Sequence, residues 1–430
     1  MKNFNIKIIT ILILLFVVSF SCSKSEINDD NEQQEEVGDN SSGLTLVDQV
    51  SLGSSEGDYG TGIVASRDGY IVCGITKEEQ AYLVAVDKDL NSLWEKTIGT
   101  GISALESIIK CSNGNYVAIG FTQTVLGGND FDLYAIKIDE LGNTIWEKSY
   151  GVNSITDTTM HLAEAPNGDI VLVGNKLTPP ITDDHVIQDI SVTRIDSNGN
   201  LVWNKIFGGS LGDSATSVLV ENNGDIWIGG TTASIDGNIS NPKGESDIWI
   251  IKVSPTGELL QEKSFGSSEG DFGGFLHKLK DGHIAVIGVS DGEDKDVMEA
   301  HKGEGDVWLF ILDAALNITN QTRIGGKGYD VVFSLVEAKN NTFFLAGSTN
   351  SHMEDPIFGK DDLWVLKLAS NLEVLDEITY GGAGFEFGAH MILNEMNQAV
   401  VLGSTESSDG DVKDNNGDYD IWLTLIEDIE

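Results

Sequence analysis

Carboxylates dominate the residues that could do chemistry in this chain. In SSDGDVKDNNGDYD, Asp409, Asp411, Asp414 and Asp418 stand two to four residues apart, with glycines that allow tight turning. Calcium takes six to eight hard oxygens, and closely spaced carboxylates on a turning loop could supply several of them. The run lacks the glycine at position six and the glutamate at position twelve of an EF-hand loop. It therefore reads as an irregular calcium site or as a solvated acidic loop. A second set recurs five residues after a repeated glycine: Asp58, Asp213, Asp271, Asp330 and Glu386. At the mouth of a channel these like charges would repel unless a cation or hydrogen bonds compensated. In the other reading, each carboxylate binds the backbone N–H groups of its own turn. A third set, Asp132, Asp189, Asp247, Asp306, Asp362 and Asp420, precedes an apolar run each time and reads as capping the loop before it.

Other chemistry is sparser. The seven histidines form no HExxH and no HxH pair. His161 and His390 share a repeat position, but in the third and seventh units, which seven-fold geometry is expected to hold well apart. No G-x-S-x-G elbow occurs, and the S-x-D-x-G-x-T-W box of sialidase-type propellers is absent. A glycosidase needs two facing carboxylates, and nothing in the sequence selects a pair. Cys73 lies in the apolar run YIVCG and Cys111 ends IIKC. In an exported chain a pair of cysteines invites a disulfide, while the YIVCG context makes Cys73 a small core residue, so both pairing states stay open.

The elements that position these residues repeat. Glycines 53, 99, 151, 208, 266, 325 and 381 close WEKTIG-like runs, in phase with glycines 74, 120, 174, 230, 288, 347 and 403, which close runs such as YIVCG and YVAIG. Repeats of this length indicate an array of one supersecondary unit. Each unit reads as four strands: a run such as SATSVLVE, an Asn/Asp-Gly turn (SNG, PNG, NNG) of hairpin chemistry, the glycine-closed apolar run, a loop of variable length, a run such as DIWIIKV, and the WEKTIG-type run. Four-stranded antiparallel units at this spacing are propeller blades. The last unit stops after DIWLTLIED, and LTLVDQVSLG at residues 44–53 is a fourth strand with no unit before it. The expected fold is all-β: a seven-bladed β-propeller of four-stranded blades, closed by pairing of the N-terminal and C-terminal strands. Closure removes the exposed edges. The recurring tryptophans (94, 146, 203, 249, 308, 364 and 422) then read as blade-to-blade packing. Tyr59, Phe272, Tyr329, Phe385 and Phe387 read as inter-blade contacts or as the lining of a sugar pocket.

The repeat resembles units of the form GG-x-x-x-D…DGGY-x-x-AG-x-T…D-x-W-x-x-K-x-D…G-x-x-x-W-x-K-x-x-GG found in bacterial surface lipoproteins and secreted proteins. The resemblance covers residues 44–430 and implies a propeller-like fold; most members lack a defined activity. The first unit departs from the pattern, with only KEEQ as its middle loop and Tyr82 in place of tryptophan.

The first residues are not fold. MKNFNIK is basic, IITILILLFVVSF is a short apolar stretch, and SFSC resembles a bacterial lipoprotein signal with Cys22 as the acylated residue. Residues 1–21 are expected to be signal peptide. Residues 22–43 are expected to be the lipidated Cys22 and an acidic disordered tether, since SKSEINDDNEQQEEVGDNSSG has almost nothing to bury. Residues 44–430 form the single propeller domain. Localisation follows as exported and lipid-anchored to a bacterial outer membrane, with the membrane as partner through the anchor. The tether holds seven of the 68 acids, so the domain itself carries most of the −42 formal charge. Such a surface repels nucleic acid and attracts cations, which excludes nucleic acid as a partner. Connections between second and third strands, and between units, share one face and vary most in length; variable loops on a rigid scaffold are the usual seat of function. The expected function is a monomeric, non-enzymatic binding or adhesion scaffold using that acidic face for a protein or glycan, with calcium as a possible cofactor. The alternative is a carbohydrate-active enzyme, a glycoside hydrolase or polysaccharide lyase, with carboxylates at the channel mouth.

Overall fold

The computed structural model describes residues 43–429 apart from 55–56, 100, 124–130, 152–156, 183–184, 304 and 352–359. The expected signal, Cys22 and the tether up to residue 42 lie outside the described residues. The described chain is all-β, with 28 strands in seven four-stranded antiparallel sheets. Six of the sheets are ordered along the chain from an inner strand to an outer one, the seventh takes its outer strand from Leu44–Leu52, and the seven sheets form the blades of a seven-bladed β-propeller. The inner strands of blades 1 to 7 are Asp58–Ala65, Ser103–Lys110, Asp157–Glu164, Asp213–Val220, Asp271–Lys278, Asp330–Glu337 and Glu386–Leu393.

Closure is as the repeat arithmetic requires. Leu44–Leu52 pairs antiparallel with Asp420–Asp428 and becomes the outer strand of blade 7, with Ser51 opposite Trp422. The side chains repeat what covalently continuous blades do. In blades 4, 5 and 6 the third-strand tryptophan donates its indole N–H to an outer-strand Glu or Gln: Trp249 to Glu262 at 2.9 Å, Trp308 to Gln321 at 3.0 Å, Trp364 to Glu377 at 3.2 Å. Trp422 donates to Gln49 at 3.0 Å across 373 residues of chain. Where blades 1 and 2 carry Tyr82 and Tyr134, the phenols donate to Glu95 and Glu147 at 2.8 Å.

Burial explains the composition of the strands. Second and third strands such as Gly69–Thr76 and Asp306–Leu312 are buried at every position, because each lies between two neighbouring blades. Hence they read as unbroken apolar runs. Outer strands alternate, as in Ser92–Ile98. Their tryptophans dock on the next blade: Trp94 lies against Gly142, where a Cβ would come within 2.8 Å of the ring, and Trp146 donates to Ser197 O at 3.2 Å. The recurring tryptophans are therefore packing groups within and between blades. The second repeated glycine also has a mechanical reason. Every inner strand carries a β-bulge at the same level, and the distorted strand brings a carbonyl against the second strand. A Cβ on Gly74 or Gly347 would stand 1.9 Å from the carbonyl oxygen of Tyr59 or Val331.

Cys73 and Cys111 are both free and buried. Burial pushes the Cys73 thiol up to about 12 and the Cys111 thiol up to about 11. They pack in separate clusters, Cys73 with Leu83 and Tyr116, Cys111 with Val117 and Leu162.

Candidate functional site

The five recurring inner-strand acids sit where the chain turns from one blade into the next. Asp58, Asp213, Asp271, Asp330 and Glu386 are all buried, none more than 1% exposed. Each accepts the N–H four residues before it. Gly209 N donates to Asp213 at 2.8 Å, Ser267 N to Asp271 at 2.6 Å, Gly326 N to Asp330 at 2.8 Å and Gly382 N to Glu386 at 2.9 Å; Ser54 N does the same for Asp58. Hydroxyls add to this: Ser234 to Asp213 at 2.9 Å, Ser351 to Asp330 at 2.7 Å and Thr405 to Glu386 at 2.7 Å. The geometry gives these acids the local-turn role, and their oxygens point into protein.

The third-strand acids approach the same places from the preceding blade. They cap the loops before them, as when Lys302 N donates to Asp306 at 2.8 Å. Together the two sets crowd the closing glycine. A Cβ on Gly381 would lie 2.1 Å from Asp362 Oδ1 and 2.6 Å from Glu386 Oε2; on Gly325, 2.4 Å from Asp306 Oδ1 and 2.7 Å from Asp330 Oδ2. Gly53, Gly208 and Gly266 are crowded likewise by Asp58 and Asp420, Asp189 and Asp213, and Asp247 and Asp271. Between blades 1 and 2 both acids are missing together: Ala81 begins the third strand, and Ser103 bridges Ala81 N and Ile98 O at 3.1 Å each. Burying two carboxylates side by side disfavours ionising both. Burial, with the neighbouring acid adding to it, raises Asp271 and Asp362 to about 6. Burial raises Asp213, Asp247 and Asp420 as well.

The four aspartates of SSDGDVKDNNGDYD do not converge. Asp409 Oδ1 accepts Ala383 N at 2.8 Å and Asp411 Oδ2 accepts Gly381 N at 3.2 Å, so both staple their loop to the blade 6–7 turn. Asp418 pairs with Lys77 at 2.9 Å, and Asp414 uses its backbone carbonyl to accept Ser51. Loops of blades 4 and 5 repeat the staple, with Asp236 accepting Ser210 N and Asp294 accepting Ser268 N, each at 2.7 Å. No group of three or more His, Cys, Asp or Glu among the described residues is arranged to hold a metal ion.

On the long-loop face, a shallow depression of about 270 Å³ lies where blades 6 and 7 meet, lined by Lys360, Gly384, Glu406, Ser408 and Asp409 among others. Phe385 forms a shelf beside it. Its ring stacks on Phe387 at 5.8 Å and 9°, Lys360 Nζ stands 4.0 Å above it, and Lys360 pairs with Glu406 at 3.7 Å. Tyr59 and Tyr419 meet nearby in a tilted pair, centroids 5.2 Å apart at 31°. Of the aromatics expected to flank the inner acids, Tyr329, Phe385 and Phe387 are all partly exposed.

The channel holds what the sequence reading missed. His161 and His390 were expected to be well apart; their ring centroids are 5.5 Å apart. Seven-fold geometry separates blades 3 and 7 widely only at the rim. Both residues directly follow the bulge of an inner strand, close to the axis, where opposite blades meet. His277 of blade 5 lies two residues further along. Its Nε2 accepts Leu335 N of blade 6 at 3.3 Å, a service that Ser217 and Ser334 perform for Leu276 N and Met391 N at 2.8 and 3.1 Å. Enclosure lowers all three: His161 to about 3, with the other two histidines contributing, and His277 and His390 to about 4. Glu106, the bulge residue of blade 2, is raised to about 7 by burial alone. The signal for this cluster was available: a titratable residue at the bulge or just after it, on strands that must face the axis.

No family model matches the chain. Among curated proteins, the chain is 23% identical over 204 residues to the regulatory protein FlaEY of Caulobacter vibrioides, a stretch that covers 42% of this chain and 21% of that protein. The chain thus spans about a fifth of the length of the relative it matches.

Proposed function

We propose that this chain is an exported, lipid-anchored binding or adhesion scaffold whose ligand face is the long-loop face, centred on the depression between blades 6 and 7. The observation that carries this reading is the Phe385 shelf with Lys360 and Glu406 beside it. The partly exposed Phe385 ring, with Lys360 over one face and Glu406 and serine hydroxyls close by, offers a sugar or a peptide side chain apolar area at its uncovered part and polar groups to hydrogen-bond around it. The rest of that face supports recognition rather than strain. Its inner-strand acids accept N–H groups of their own turns and Asp409 and Asp411 tie their loop to the blade 6–7 turn, so the loops are held in one shape before a ligand arrives, which lowers the ordering cost of binding. Cys22 would supply the anchor and residues 23–43 the reach. The test is a glycan and peptide array probed with the purified full chain beside Phe385→Ala. A ligand retained equally by the variant would remove the depression as the binding site. Metabolic labelling with a fatty acid, lost in Cys22→Ala, tests the anchor.

A further inference from the structure

We propose that the central channel holds a first-row transition-metal ion, Cu(II), Ni(II) or Zn(II), chelated between His161 and His390. The two imidazoles come from opposite sides of the ring and meet with centroids 5.5 Å apart and planes tilted by 50°, so they are not stacked. Two imidazoles bound in cis to one ion, with metal–nitrogen bonds of about 2.0–2.1 Å, place their centroids about 4.5–5.5 Å apart. Neither ring makes a hydrogen bond to a described residue, whereas His277 spends its Nε2 on Leu335 N. Both residues are partly exposed.

The surroundings favour a borderline or soft ion over a hard one. Phe275 and Phe333 meet edge to face at 5.6 Å on the neighbouring inner strands of blades 5 and 6. Imidazole nitrogens select Cu, Ni and Zn, whereas the carboxylate-rich exterior selects Mg and Ca. Since no third His, Cys, Asp or Glu completes a set among the described residues, water fills the remaining positions, and the ion is exchangeable and removable by chelators.

The test is titration of the purified full chain with Cu(II) in excess Mg(II), which saturates the surface carboxylates, read by calorimetry and by electron paramagnetic resonance. One equivalent should bind with hyperfine coupling to two nitrogens. His161→Phe and His390→Phe should each weaken binding by about tenfold or more and leave at most one coupled nitrogen. His283→Gln, at an exposed histidine paired with Asp281, should bind as the parent does. Should either phenylalanine variant fail to fold, His161→Gln and His390→Gln replace it, with the same expected loss. Unchanged affinity and coupling in the channel variants, loss of binding in His283→Gln, or no stoichiometric binding by the parent would each overturn the proposal.

Discussion

Glu106 offers the cleanest test of the channel's electrostatics. Its carboxyl is raised from 4.5 to about 7, with burial as the sole cause. The sign follows from proton linkage. The folded state holds the proton more tightly than the unfolded chain, so this residue costs nothing below about pH 4.5. Its penalty grows as the pH rises, at about 1.4 kcal/mol per unit, and levels off above about pH 7. The full shift corresponds to about 3 kcal/mol. Glu106 is only partly buried by accessible area, and channel water screens its charge, so about 2 kcal/mol is the working expectation. Glu106→Gln mimics the protonated acid in shape and removes the titration. The variant should match the parent at about pH 4.5 and exceed it by about 2 kcal/mol at about pH 8. Urea denaturation followed by tryptophan fluorescence at a series of pH values measures both proteins. Comparing midpoints at matched pH cancels the other shifted groups, including Asp271, Asp362 and the channel histidines. Parallel curves, with a constant gap or none, would refute the claim that the fold pays to ionise Glu106.

Four further outcomes follow from the same geometry. His277→Gln keeps a side-chain acceptor for Leu335 N and removes a base lowered to about 4. Its stability should therefore fall less steeply than the parent's as pH drops from about 6.5 to about 4, by about 1.4 kcal/mol per unit at most, measured in the same urea series. Gln49→Leu leaves the buried Trp422 indole N–H unpaired and should cost about 1–3 kcal/mol in thermal or urea unfolding, while deleting residues 44–52 should prevent a cooperative transition altogether. Gly347→Ala forces a methyl against the Val331 carbonyl and should destabilise by several kcal/mol, about 3 or more, or fail to fold, as read by calorimetry. In a Cys22→Ser chain the native protein should react slowly with a thiol reagent, and two thiols, Cys73 and Cys111, should appear on unfolding without reductant.

Much of the architecture was legible in the residues because a repeat reports the same constraint seven times. The orphan strand at Leu44–Leu52 and the truncated last blade implied ring closure, and Trp422 with Gln49 makes the contact that blades 4, 5 and 6 make internally. The long-loop face was also legible, because strand alternation decides which connections share a side. Counting carboxylates was less informative. Asp409, Asp411, Asp414 and Asp418 are neighbours in sequence, but the first two face the turn after Tyr380, while Asp418 faces Lys77 in blade 1. Whether nearby acids converge depends on the path of the loop, which spacing alone does not specify.

Taken alone, the amino-acid sequence determined the number of blades, their closure and the identity of the buried runs, since these follow from periodicity and from the need to bury apolar strands on both faces. Only the tertiary structure decided which titratable groups meet. It placed His161 against His390 across the axis and folded pairs of acids over Gly208, Gly325 and Gly381. Distance across a ring depends on radius as well as on blade count, and radius emerges only when the inner strands, with their bulges, have packed against one another.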